Sequence, residues 1–188
     1  MDVMTAIDQR HSCRSFDGEP VPREIIDHLL HAASQAPSSM NAQPWRFHVA
    51  TGKTREALSE AMAMTTVHLQ EYMDIFTSEE LQSYERFYSD LGQAPVILSV
   101  TVPCVHDDIE RINGYVSAGC AVENVLLASG EYGLGCCSIT APVWVRDKLS
   151  EILELGDDWE IVSLVLVGYA AEKPLAPAHS QNIAVFHD

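Results

Sequence analysis

The stretch from Asp107 to Gly130 constrains this chain more than any other part of it. Its spacing predicts one long helix, capped at its start by Asp107 or Asp108. The middle of that helix, Tyr115-Val116-Ser117-Ala118-Gly119-Cys120-Ala121-Val122, is small and apolar on every side. A helix without a polar face is buried on every face. A chain of 188 residues has one core to offer, so the pattern predicts that this helix lies against a second subunit.

Around it, helical and strand patterns alternate, which predicts an α/β or α+β domain. Met4 to Arg10 and Pro22 to about Ala36 read as helices, the second with Ile25, Ile26, Leu29, Leu30 and Ala33 at helical spacing. Trp45–Ala50, Val96–Val102 and Gly133–Ile139 read as strands. Ile161–Tyr169 is a nearly continuous apolar run and reads as a central strand. Thr51 is placed to cap a helix reaching Met64, and Trp144–Leu155 reads as an amphipathic helix. Residues 65–92, rich in Tyr, Phe, Met and Glu, read either as a lid over a pocket or as a surface helical hairpin. The tail, 170–188, is expected to run extended. The whole chain, 1–188, is expected to form one domain.

Twenty-seven acidic residues face 11 basic ones, a formal net charge of −16. Such a surface repels nucleic acid and anionic membranes. It also makes any cluster of arginines informative, because a bound anion must find its cations locally. No run approaches the ~18 apolar residues of a membrane span. The first residues lack a basic region followed by an apolar run, so a cytoplasmic location is expected. Five cysteines, an odd number without a CxxC pair, read as reduced thiols. Cys136-Cys137 is expected to be two small residues on a buried strand rather than a vicinal disulfide. His28 and His31 sit at helical spacing, but no second ligand pair has zinc-like spacing, so no metal site is expected.

Three segments concentrate chemistry. Arg10-His11-Ser12-Cys13-Arg14-Ser15-Phe16 is the best local anion site, since guanidinium forks match phosphate oxygens and Ser adds a neutral donor. Ala36-Pro37-Ser38-Ser39-Met40-Asn41-Ala42-Gln43-Pro44-Trp45 is a polar loop with proline at both ends. Its restricted backbone holds donors and acceptors in fixed directions, as a polar heterocycle requires. Gly133-Leu134-Gly135-Cys136-Cys137-Ser138-Ile139-Thr140-Ala141-Pro142 allows close backbone approach at its glycines. It enters a strand rather than opening a helix, so it is not a dinucleotide fingerprint.

In order along the chain, these segments resemble the nitroreductase family of FMN enzymes. Supporting the resemblance are Ala94-Pro95 before a strand, Glu123-Asn124 and Leu126-Leu127-Ala128 in the long helix, Leu166-Val167-Gly168-Tyr169, and Pro174. The resemblance implies an α+β sandwich, a mainly antiparallel sheet flanked by helices, in an intertwined homodimer with FMN at the interface. It implies that Arg10 and Ser12 bind the FMN phosphate with His11 adjacent, and that Arg14 lies near the flavin pyrimidine edge. Pro37, Ser38, Ser39, Asn41 and Gln43 would reach the flavin from the other subunit. The backbone at Thr140 and Ala141 would lie beside the flavin N5. No side chain is implied as nucleophile. NAD(P)H would be a transient co-substrate, and the acceptor a flat molecule such as a nitroaromatic or quinone. Family members often carry a basic pair in the tail; here His179 stands in its place. Many also carry a Glu or Gly pair where Thr140 and Ala141 stand.

Other activities on the same fold would be a dehalogenase, a desaturase or a flavin-fragmenting enzyme. From a different class, a non-catalytic flavin-binding redox sensor would fit the altered tail and the five cysteines.

Overall fold

The structure, a computed structural model, describes residues 1–69, 77–172 and 183–187. Four strands, β1 (Arg46–Ala50), β2 (Val96–Pro103), β3 (Gly135–Ile139) and β4 (Trp159–Gly168), form one sheet in the order β1-β2-β4-β3. Every pairing is antiparallel. The helices are α1 (Val3–Gln9), α2 (Arg23–Ser34), α3 (Gly52–Ala63), α4 (Thr66–Leu69), α5 (Ser78–Asp90), α6 (Asp108–Ser129) and α7 (Arg146–Ile152). This is the expected α+β sandwich.

The two faces of the sheet follow from the strand period of two. On β2, Val96, Leu98, Val100 and Val102 point to one face, where they meet Ile26, Leu29 and Ala33 of α2 and Ala118, Ala121, Val122 and Val125 of α6. Ile97 points to the other, with Leu164 and Leu166 of β4, under Leu58 and Met62 of α3, Phe87 of α5 and Leu149 of α7. Because both faces are covered, β2 and β4 can be apolar almost without interruption. Two polar groups on β2 are nevertheless fully buried. Thr101 shares a 3.2 Å hydrogen bond with His48 across the strand pair, while the Ser99 hydroxyl has no partner among the described residues.

Helix α6 begins where the sequence placed it: the Asp107 carboxylate accepts the Glu110 N–H at 2.9 Å. Its inner face buries Gly114, Ser117, Ala118, Ala121, Val122 and Val125. Within this one chain the opposite face stays open. Ile109, Ile112 and Val116 are 70%, 58% and 62% exposed, and a Cβ at Gly119 would meet nothing.

Several local expectations are corrected. Thr51 occupies the cap position of α3 without a side-chain hydrogen bond, and Gly52 starts the helix at φ +52°. The helix expected over 144–155 is shorter, because a 3-10 turn spans Ala141–Val145 and Val145 leaves helical geometry (φ −128°) before α7 begins. In the 65–92 stretch, α4 and α5 are helical. Phe87 is buried and Tyr88 half-buried against the core, so α5 packs on the sheet's second face beside α3. A full capping box at Thr77 and Glu80 starts it. The expectations for Tyr72, Met73, Phe76 and most of the tail lie outside the described residues. Residues 183–187 carry no helix or strand and are exposed. All five cysteines are free thiols.

Candidate functional site

The segment Arg10–Phe16 runs as an extended strap fastened at both ends. The Cys13 N–H donates to the Cys136 carbonyl at 2.9 Å, and Ser12 pairs with Cys136 in a parallel bridge. Further on, the Phe16 N–H donates to the Gly92 carbonyl at 2.9 Å, and the Ala171 N–H donates to the Ser15 carbonyl at 3.0 Å. Cys13 and Phe16 are buried, which anchors the strap's inner side. Gly135 permits the close fit: a Cβ there would lie 2.7 Å from the Cys13 Cβ. The close approach expected at the glycines is therefore made at Gly135 by the Cys13 side chain of this chain's own strap, whereas a Cβ at Gly133 would meet nothing within 4 Å.

Ser12 and Arg14 line a depression between the strap and α5, Arg10 lines another with His11 and Gly135, and the Cys137 thiol is buried on β3. Burial pushes that thiol up from its ordinary value; the Arg14 charge, the hydrogen bond offered by Ser12 and the Arg10 charge each act in the opposite direction. Arg10 sits 3.6 Å from Glu123 of α6. Arg14 has no ion pair among the described residues. His11 instead turns its Nδ1 to the Gln9 carbonyl.

Besides a hollow of about 730 Å³ lined by Arg10, His11, Leu126, Gly135 and Cys136, two further depressions lie nearby. One, of about 800 Å³, lies between the strap and α5 and is lined by Ser12, Arg14, Tyr84, Phe87, Gln93 and Glu172. Burial pushes the nearby Tyr88 hydroxyl up, so it remains a neutral donor. The other, of about 510 Å³, lies along the open face of α6 and is lined by Tyr115, Gly119, Ser138, Thr140, Arg146 and Glu160. Thr140 is exposed at its edge, while Ala141 is buried.

The Pro37–Gln43 loop is held by its own side chains. The Ser38 hydroxyl accepts the Gln43 N–H at 3.0 Å, and the Gln43 amide donates to the Asn41 carbonyl oxygen at 3.0 Å. Met40, Asn41 and Gln43 all have positive φ (51°, 56° and 48°). Non-glycine residues held in that region carry strain, which is concentrated at functional sites. Met40 is fully exposed. Residues 37–43 line none of these depressions, so within one chain Pro37, Ser38, Ser39, Asn41 and Gln43 stand apart from Arg10, Ser12 and Arg14. His179 lies outside the described residues.

Cys136 and Cys137 are, as expected, small buried residues of a strand. Sequence reasoning missed one residue that sets the position of the strap. Gly92, which meets Arg14, had no signal, since a glycine after a helix ordinarily serves as its terminator.

The description Nitroreductase family fits residues 7–169, nearly the whole of the described sandwich. The chain belongs to the nitroreductase family. Among its relatives, a candidate NADH dehydrogenase/NAD(P)H nitroreductase of Methanothermobacter thermautotrophicus is 31% identical over 184 residues, covering 93% of this chain and 80% of that protein. The 4-nitrobenzoate reductase of Pseudomonas putida is 26% identical, covering 91% and 86%. Among solved structures, the FMN and NADPH-dependent nitroreductase NfnB of sphigopyxis sp. strain HMH covers both chains completely with a TM-score of 0.81 at 21% identity. That likeness establishes a shared nitroreductase fold. Among the described residues of this family member, no helix is long and apolar enough to cross a membrane, and no cluster of His, Cys, Asp and Glu could hold a metal.

Proposed function

We propose that this chain is an FMN-dependent oxidoreductase that takes reducing equivalents from NAD(P)H and passes them to a flat acceptor such as a nitroaromatic or quinone. The observation that carries the proposal is the strap fastened on β3, which carries Arg10, Ser12 and Arg14 along one extended segment in a chain of net charge −16. The donor set fits the group. Two guanidinium forks and a hydroxyl suit a phosphate and a polar ring edge; Arg10 is ion-paired with Glu123 at 3.6 Å, longer than a hydrogen bond, and a phosphate would replace that carboxylate.

In this reading Arg10 and Ser12 hold the phosphate with His11 beside them, and Arg14 sets a positive charge at the pyrimidine edge. Bound FMN supplies the two-electron redox chemistry, while the protein supplies orientation and electrostatics. The backbone at Thr140 and Ala141 offers a donor at the reactive edge. The neutral Cys137 thiol and the buried sheet exclude water beneath. Donor and acceptor occupy the same open face in turn, so ping-pong kinetics are expected. Residues 1–188 act as one domain, in the cytoplasm.

A second copy of the chain completes the site. The open stripe Ile109, Ile112 and Val116 is an apolar face, and the Pro37–Gln43 loop is an exposed, strained polar element with nothing to bind in its own chain. A homodimer covers the first and brings the second, including Ser39 and Asn41, to the partner's flavin. His179 takes part in the tail's grip on the phosphate.

The test is the visible spectrum of protein purified without added flavin, followed by heat release and NAD(P)H turnover with a nitroaromatic and a quinone. Flavin bands, release of FMN and saturable turnover are expected. Protein that is colourless and takes up no added FMN overturns the reading.

A further inference from the structure

Helix α5 ends in an unusual turn. Leu91, Gly92 and Gln93 all have positive φ (55°, 61° and 62°). The Asp90 carboxylate accepts the Gly92 N–H at 2.8 Å. Arg55 of α3 fastens the turn on both sides, donating to the Asp90 carbonyl at 2.8 Å and to the Ala94 carbonyl at 2.7 Å. These bonds fix where the Gly92 backbone lies.

Gly92 in turn faces the strap. Its carbonyl accepts the Phe16 N–H, and a Cβ on Gly92 would lie 2.1 Å from the Arg14 carbonyl oxygen and 2.8 Å from the Arg14 carbonyl carbon. Both partners there are backbone, so neither can swing aside as a side chain would. The Arg14 backbone lies between two fastenings, Cys13 on Cys136 and Phe16 on Gly92. Its position is therefore set on one side by β3 and on the other by the end of α5.

We propose that Gly92 is a positioning residue for Arg14: the Asp90–Gln93 turn, braced by Arg55, seats the strap so that the Arg14 guanidinium reaches the flavin. This rests on the FMN reading above. Its consequence is that α5, which walls the groove opposite the strap, also sets the charge beside the cofactor. A change in the seating of α5 is transmitted through one backbone contact to the electrostatics of the site.

The test compares Gly92→Ala with Gly52→Ala. Both glycines have positive φ (61° and 52°), but a Cβ at Gly52 meets nothing within 4 Å. The second variant thus carries the backbone strain without the push on Arg14. FMN dissociation constants and flavin midpoint potentials are measured for both, for Arg14→Gln and for the double variant Gly92→Ala/Arg14→Gln. Asp90→Ala, which releases the Gly92 N–H without adding an atom, serves if Gly92→Ala does not fold.

Gly92→Ala, or Asp90→Ala in its place, is expected to weaken FMN by about tenfold and to move the potential to more negative values, as Arg14→Gln does. Gly52→Ala is expected to match the wild type in both. The double variant is expected to be no worse than Arg14→Gln alone, because coupled residues are not additive. If Arg14→Gln changes neither quantity, the role assigned to Arg14 fails and this proposal with it. If Arg14→Gln changes them while folded Gly92→Ala and Asp90→Ala do not, or if the double variant is fully additive, the positioning role alone is overturned.

Discussion

Gly135 and Cys13 are packed so closely that a single methyl on the glycine would overlap the cysteine side chain, with a Cβ 2.7 Å from Cys13 Cβ and 2.8 Å from its Sγ. That contact welds the cationic strap to the end strand of the sheet. Gly135→Ala forces a backbone shift and is expected to cost about 1–3 kcal/mol, the usual range for overpacking. Urea denaturation measures it. An unchanged midpoint would show that the strap gives way freely, contrary to the fastening described here.

The centre of the sheet is less forgiving. Leu98 is fully buried between α2 and α6. Leu98→Ala removes that packing and leaves a cavity, with an expected loss of about 2–5 kcal/mol. The same truncation at the exposed Val143 is expected to change stability by less than about 0.5 kcal/mol. Comparable losses at the two positions would contradict the burial described.

Burial pushes the Cys136 thiol up from 9.0 to about 12, and it raises Cys13 and Cys137 as well. The folded state therefore holds its thiol protons while the unfolded state releases them. By linkage the stabilisation is complete below about pH 9 and falls away as pH rises towards 12. Denaturation midpoints at pH 8 and pH 10 should differ, and Cys136→Ala should reduce the difference. Iodoacetamide should leave Cys136 unmodified in the native protein at pH 8. A flat stability profile up to pH 10 would argue against buried neutral thiols.

Arg10→Ala removes one of the guanidiniums proposed to hold the cofactor phosphate. Hydrogen bonds to charged groups contribute about 1.5–3 kcal/mol, so FMN is expected to bind roughly tenfold to a hundredfold more weakly. Arg111→Ala is the control, because that side chain is paired with Asp108 at 2.8 Å. Equal affinities for the two variants in flavin titrations would remove Arg10 from the site.

Val116→Asp places a charge in the middle of the open α6 stripe, where the wild-type residue is 62% exposed in the single chain. A homodimer through this face would have to bury that charge unpaired, so the variant is expected to sediment as a monomer and to lose flavin. A wild-type protein that is itself monomeric at micromolar concentration would remove the dimer from the proposal.

Local patterns made much of this molecule readable. The apolar runs at 96–102 and 161–169 became the two central strands because both sheet faces are covered, and a covered strand shows no alternation. The caps at Asp107 and Thr77 show the limits. Asp107 lay directly before an obvious helix and was found, whereas the Thr77–Glu80 box sat in a stretch whose apolar residues follow no clean period. The break at Val145 was illegible, because it depends on the turn opened by Ala141 and Pro142 rather than on the amphipathic pattern that follows.

The site divides along the same line. The sequence by itself determined which residues carry charge and donors, since Arg10, Ser12 and Arg14 stand at alternate positions of one extended segment, and Ser38, Asn41 and Gln43 in one proline-bounded loop. Only the tertiary structure decided what those groups face. It set the strap on β3 through Gly135 and Cys136 and brought Gly92 against Arg14 from 78 positions away. The reason is physical: side-chain chemistry is a property of one residue, but a close contact depends on the folded backbone around both partners, and no local pattern records it.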